Sequence, residues 1–221
     1  MEHLYVQYGC GLTAPESWVN FDVSPTLRLQ KVPLIGSLLI QSGPRFPPGA
    51  RYGDITKGLP IADESCVGIY CSHVLEHLAL DDLRKALRHT FQCLRPNGIF
   101  RLVLPDIEQL AKRYIAANDA AAALRFMEES RLGHKSRPRG PSGLARAWLG
   151  NSQHLWMWDF KALAAELGQA GFVDIRRAAF GDAQDRRFDE VEDEGRWRDA
   201  VGIECRRAGP EGQPCAPTAT S

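Results

Sequence analysis

The seven residues Cys66-Val67-Gly68-Ile69-Tyr70-Cys71-Ser72 constrain the fold of this chain more than any other stretch. A nearly unbroken apolar run this short reads as a strand buried on both faces, which suits a central position in a parallel sheet. Parallel strands need crossover connections, and these are usually helices. The flanking sequence supplies both kinds of element. Leu4 to Tyr8, Trp18 to Val23, Tyr52 to Ile55 and Gly98 to Pro105 carry the β-branched and aromatic content of further strands. Asp81 reads as the N-cap of a helix with Leu83, Leu87, Phe91 and Leu94 on its inner face, stopped by Arg95-Pro96-Asn97-Gly98. Asp106 to about Arg131 reads as one long helix or two, and Asp159 caps another, with Phe160, Leu163 and Leu167 inward. Phe172 to Phe180 and Ala200 to Arg206 are expected to pair as an antiparallel edge, separated by the acidic segment Gly181 to Asp199.

These elements predict an α/β fold: a doubly wound, mostly parallel sheet with an antiparallel C-terminal edge, in three α/β/α layers. With 44% hydrophobic and 24% charged residues, residues 1–208 suffice for a single domain. Residues 209–221, mostly Pro, Ala, Thr and Gly, are expected to be a disordered tail.

Lys plus Arg and Asp plus Glu number 27 each, so no net field draws the chain to nucleic acid, and no such partner is expected. The most apolar neighbourhood, "VPLIGSLLI", is broken by Pro33, Gly36 and Ser37 and falls far short of the ~20 residues of a membrane span. The N-terminus shows no signal-peptide pattern. Six cysteines, at 10, 66, 71, 93, 205 and 215, form no CxxC pair and no zinc-site spacing. They read as separate thiols in a reducing cytoplasm, and no metal is expected.

In such sheets ligands sit at the carboxyl ends of the strands, where strand order reverses. Gly9-Cys10-Gly11, Asp22, Asp54 and Ser72-His73 all fall just past strand ends. Gly9 to Ala14 also satisfies G-x-G-x-x-A, the pattern of a dinucleotide turn. Only Cys10 to Ser17, with Pro15 among them, separate the first two strands, so at most one helical turn fits where a pyrophosphate needs a helix N-terminus. No Lys or Arg lies between Gly9 and Arg28. A cofactor with a sugar and a base but no phosphate suits the turn better, with Asp22 accepting from ribose hydroxyls and Asp54 from an adenine amino group.

With these stretches the chain resembles the class I S-adenosylmethionine-dependent methyltransferases. It is most similar to the small type 11 kind and to a compact group of predicted methyltransferases in which Gly-Cys-Gly is soon followed by "WVNFD". The resemblance is carried, in order, by "YGCG", "WVNFDVSP", "GDITKGLPIADES", "IYCSHVLEHL", "LRPNGIFRLVLPD" and "LGQAGFVDIRR", over roughly residues 4 to 180. It implies a Rossmann-like fold, S-adenosyl-L-methionine as cofactor and methyl transfer to a small-molecule acceptor. It further implies that Gly9, Cys10 and Gly11 pass beneath the methionine and ribose, and that Asp22 holds the ribose hydroxyls. Asp54 and the backbone of Ile55 then meet the adenine, and Ser72 and His73 close the pocket near the sulfonium. The chain departs from the family in lacking a helix before the first strand and in shortening the first helix, so the cofactor is either more exposed than usual or covered by "VPLIGSLLI".

Several candidates keep two readings. His73 and His77 are candidate catalytic groups because imidazole titrates near neutrality. In the same "SHVLEHL" stretch, Glu76 and His77 equally suit local backbone hydrogen bonding. Asp106, His154 and Trp158 are candidates for contact with the acceptor, although Trp156 and Trp158 also suit packing. The basic loop Arg131 to Arg146 is either simply solvated or steers an anionic acceptor. An inactive binding module with the same fold is the alternative to an enzyme.

Overall fold

The computed structural model describes residues 4–32, 45–136, 140 and 153–209. In it, Cys66–Ser72 is strand β4, and all seven of its residues are buried. It lies parallel to β1 (Leu4–Tyr8) on one side and to β5 (Leu94–Pro105) on the other. Strands β2 (Val19–Asp22) and β3 (Ala50–Tyr52) extend the parallel sheet beyond β1. β7 (Ala200–Arg207) inserts antiparallel between β5 and β6 (Phe172–Ala178), which gives the order β3-β2-β1-β4-β5-β7-β6. The antiparallel C-terminal edge is present, and strand order reverses between β1 and β4.

Six helices fall within the described residues: α1 (Pro25–Gln30), α2 (Leu80–Cys93), α3 (Ile107–Ala116), α4 (Ala122–Glu129), α5 (Phe160–Gln169) and α6 (Glu194–Trp197). α2 turns Leu83, Ala86, Leu87 and Thr90 to the sheet. Its N-cap is Ala79, not Asp81; Asp81 and Asp82 lie in the first turn, where their charge complements the helix dipole. The Arg95-Gly98 stretch is a register shift at the start of β5 rather than a loop before it, with Asn97 at φ +64°. β3 is shorter and earlier than the sequence suggests, because Asp54 instead caps a 3-10 turn, Ile55–Lys57.

The two faces of the sheet are covered differently. Val6, Ile69, Phe100 and Leu102 pack with Leu83, Leu87, Leu163 and Leu167 beneath α2 and α5. On the other face Tyr5, Trp18, Tyr70 and Val103 meet Phe188 and Val191. The acidic segment is therefore a packed layer rather than a solvated connection. It is pinned by Arg101, fully buried in mid-β5, which donates to Glu192 (2.5 Å), Asp182 (2.9 Å), Glu204 (3.1 Å) and the Ala179 carbonyl (2.7 Å). No described helix is long and apolar enough to cross a membrane. Residues 33–40 of the apolar stretch, most of the basic loop and the tail from residue 210 lie outside the described residues.

Candidate functional site

The glycine turn follows β1 directly. Gly9 (φ +69°) and Gly11 (φ +53°) both adopt the left-handed conformation that side chains resist. A Cβ on Gly9 would fall 2.0 Å from Val74 Cγ2, so the loops after β1 and β4 meet here with room for glycine alone. Asp22, at the end of β2, clasps the turn: its Oδ2 accepts from the Gly11 N–H at 3.0 Å and its Oδ1 from the Ser24 N–H at 2.8 Å. Each oxygen keeps lone-pair capacity for a further donor. Cys10 is buried between the glycines, and burial, with the Asp22 charge adding to it, pushes its thiol up to about 12. It is a packing residue, protonated at neutral pH. Residues 10–18 form turns and no helix, so no helix N-terminus follows the glycines.

Asp54 stands at the next strand end but is largely committed to its own turn. Its Oδ1 accepts from the Thr56 N–H (3.0 Å) and hydroxyl (2.7 Å), and Lys57 Nζ lies 3.2 Å from Oδ2. Burial pushes its carboxyl up, but the Thr56 and Lys57 bonds outweigh that and hold it below its ordinary value. The neighbouring Ile55 side chain is buried in the core.

Past β4, Ser72 is buried with its hydroxyl unpartnered among the described residues. His73 takes φ +53°, a conformation that costs a residue with a Cβ roughly 1–2 kcal/mol. It is held there by its N–H to the Val103 carbonyl (2.9 Å) and by its Nε2–H to the Arg196 carbonyl (2.8 Å). The left-handed residue turns the chain into a 3-10 turn, Leu75–His77, that carries Glu76 inward. Glu76 is 0% exposed, and neither carboxylate oxygen has a hydrogen-bond partner among the described residues. His73 Nδ1 lies 3.4 Å from Glu76 Oε1, and His77 Nε2 lies 3.9 Å from it.

His154 joins this group from far along the chain. Its Nδ1–H donates to the Ser130 carbonyl at 2.8 Å, and its ring stands edge-on to His77 with centroids 5.0 Å apart. Burial lowers its pKa, favouring the neutral imidazole. The backbone fixes the approach, since the N–H groups of Leu155 and Trp156 both donate to the Glu76 carbonyl, at 2.8 and 3.2 Å. His73, Glu76, His77 and His154 line one wall of a cleft of about 650 Å³ that also takes in Arg113 and Arg196.

Two candidates are placed elsewhere. Asp106 is 1% exposed and its Oδ1 caps α3 through the Glu108 N–H at 2.8 Å, so it serves the helix and offers no surface carboxylate for orienting an acceptor. Trp158 is 2% exposed within the core, while Trp156 beside it is 44% exposed, so Trp158 has no face to offer a substrate. Glu76 is the residue that sequence reasoning underrated. It does not satisfy backbone donors through its carboxylate; a Glu enclosed by Val74, Leu75 and Leu78 was the available signal.

A family model for the methyltransferase domain matches residues 21–176. No curated protein matches the chain. Among solved structures, it is similar to an S-adenosylmethionine-dependent methyltransferase from Mesorhizobium loti, at 19% identity and a TM-score of 0.48, covering 93% of this chain and 91% of that one. A SAM-dependent methyltransferase from Thermotoga maritima matches at 14% identity and a TM-score of 0.49, covering 94% and 83%. One from Archaeoglobus fulgidus matches at 13% identity and 0.47, covering 93% and 86%.

Proposed function

This chain belongs to the methyltransferase domain family, and on that footing we propose that it moves the methyl group of S-adenosyl-L-methionine to a small-molecule acceptor held in the cleft beside His77. The observation that carries the choice of cofactor is the glycine turn clasped by Asp22, with no helix among residues 10–18 that follow it. A pyrophosphate placed there faces the Asp22 carboxylate and finds no helix N-terminus directly after the glycines to receive it. A nucleoside with a sulfonium brings no anion, and its ribose hydroxyls donate to the lone pairs Asp22 has left.

When bound, S-adenosylmethionine supplies a methyl group already activated by positive sulfur. The protein then has mainly to align the acceptor in line with the sulfur–methyl bond and to keep water out. Gly9, Cys10 and Gly11 form the floor under the cofactor, Asp22 grips the ribose, and Asp54 and Ile55 border the adenine. Ser72 and His73 stand between that floor and the acceptor cleft. His77 donates its Nδ1–H to the Gln153 carbonyl, at 2.8 Å, which orients the ring at the cleft. The five described cysteines are free and buried, in keeping with a cytoplasmic protein.

Calorimetry with S-adenosylhomocysteine and with NAD tests the reading. Saturable binding of the first and none of the second is expected. Binding of NAD alone, or of neither, removes the basis for the assignment.

A further inference from the structure

Neither the cysteines nor the histidine spacing points to a metal in the sequence, but the folded chain assembles a ligand set that spacing does not show. We propose that Glu76, His77 and His154 bind one divalent transition-metal ion in the wall of the cleft. One ligand atom from each of the three lies within 4.8 Å of the others.

The first support is the state of Glu76. A fully buried carboxylate with no hydrogen bond is costly, and native chains rarely leave one so. The neighbouring nitrogens of His73 and His77 stand at 3.4 and 3.9 Å, and neither makes a hydrogen bond to it. The second support is tautomeric. The carbonyls of Gln153 and Ser130 can only accept, so both His77 and His154 carry their proton on Nδ1. In the neutral form of each ring the lone pair is therefore on Nε2. His73 repeats the pattern with its nitrogens exchanged, giving Nε2–H to the Arg196 carbonyl and presenting Nδ1 to Glu76.

Imidazole lone pairs and carboxylate lone pairs repel one another unless a positive charge lies between them. A metal ion supplies it, and an outer N–H held by a backbone carbonyl is the usual way a ligating histidine is oriented. Bonds of about 2.0–2.2 Å place ligand atoms about 3–3.5 Å apart, so the three side chains need to draw in by about an ångström. Two imidazoles and one carboxylate suit Zn²⁺ or Fe²⁺, whereas Mg²⁺ and Ca²⁺ prefer all-oxygen sets. The remaining coordination positions face the cleft. There an oxygen of the methyl acceptor can take one, a consequence that rests on the methyltransferase reading, while metal binding itself does not.

The full chain, stripped with a chelator and titrated with Co²⁺, provides the test through visible absorption and metal content by mass spectrometry. One ion per chain is expected, displaced by Zn²⁺. Glu76→Gln and His154→Asn should each weaken uptake at least tenfold with unchanged circular dichroism, and His134→Asn, at an exposed histidine outside the ligand set, should leave it unaltered. Because the buried variants can misfold, paramagnetic effects of substoichiometric Co²⁺ on the wild-type ring resonances give a second readout, expected at His77 and His154. No stoichiometric uptake by the folded wild type, equal affinity in a folded Glu76→Gln, or perturbation confined to other residues overturns the proposal. Calorimetry with S-adenosylhomocysteine on the metal-free protein separates the two ideas. Cofactor binding without metal uptake defeats the metal site alone, and metal uptake without cofactor binding defeats only the reading of the glycine turn.

Discussion

Asp22→Asn separates the two duties assigned to Asp22. The carboxylate now accepts from Gly11 N–H at 3.0 Å and Ser24 N–H at 2.8 Å, one on each oxygen. An amide of the same shape can turn its oxygen to only one of these donors and must face its NH₂ to the other. One charge-assisted bond is lost, a cost of about 1.5–3 kcal/mol, reduced where water reaches the half-buried group. The ribose loses a charged acceptor as well, a second penalty of roughly 1–3 kcal/mol that appears only in binding. Urea denaturation should therefore show a modest loss of stability, and calorimetry a fall in S-adenosylhomocysteine affinity of about five- to 150-fold. The assays read different terms. If stability falls as expected while affinity stays within twofold, Asp22 is a clasp for the turn and nothing more, and the ribose assignment is refuted.

Gly9→Ala should cost about 2–5 kcal/mol, combining a left-handed residue with overpacking against Val74 at 2.0 Å. In urea denaturation, Val74→Ala added to it should recover only the packing share, and a double variant no more stable than the single one contradicts the contact. Arg101→Leu leaves Glu192 buried without its cation and Glu204 with Arg176 alone, and should lower stability by about 3–5 kcal/mol, seen as a large drop in the denaturation midpoint. Glu166 is held below its ordinary carboxyl value by the Arg84 guanidinium, which bonds it at 2.8 and 2.9 Å. That contribution is present above the unfolded value and lost as pH falls through the folded one. The wild-type advantage over Arg84→Gln should thus shrink between about pH 6 and pH 3, and an unchanged difference rules out the linkage.

The parallel strands could be read from the chain because burial on both faces demands a continuous apolar run, and Cys66–Ser72 has one. The glycine turn and Asp22 were legible for a related reason: a strand end fixes where the next residues must point. β3 was misplaced because Ala50-Arg51-Tyr52 is three residues long, with Arg51 and Tyr52 exposed, and carries almost no pattern. The second packed layer was hidden differently. Phe188, Val191 and Trp197 are sparse among acids, and what buries the acids is Arg101, a residue of β5 far back in the sequence. Asp106 and Trp158 looked functional because they follow strand β5 or precede α5, but capping and core packing claim the same positions. Glu76 and His154 come together through hydrogen bonds from Leu155 and Trp156 to the Glu76 carbonyl and from His77 to the Gln153 carbonyl, which no local pattern announces.

The same turn explains why the cofactor floor and the cleft lie side by side. His73 leaves β4 in a left-handed conformation, and the next residue, Val74, touches the glycine turn while Glu76 and His77 face the cleft. Three residues thus span the distance between the two proposed ligands. An ordinary extended exit from β4 carries Glu76 elsewhere and separates Val74 from Gly9. The strain at His73 is maintained by its N–H to Val103 and its ring to Arg196, so β5 and the α6 layer both hold the spacing. His73→Gly should keep the backbone turn, relieve the strain and release the Arg196 tie. If that tie sets the cleft wall, methyl transfer measured with any accepted substrate falls in His73→Gly while S-adenosylhomocysteine affinity holds within about threefold, a difference below 1 kcal/mol. Equal losses in both place His73 on the cofactor side of the boundary, and no loss in either removes the ring from the site.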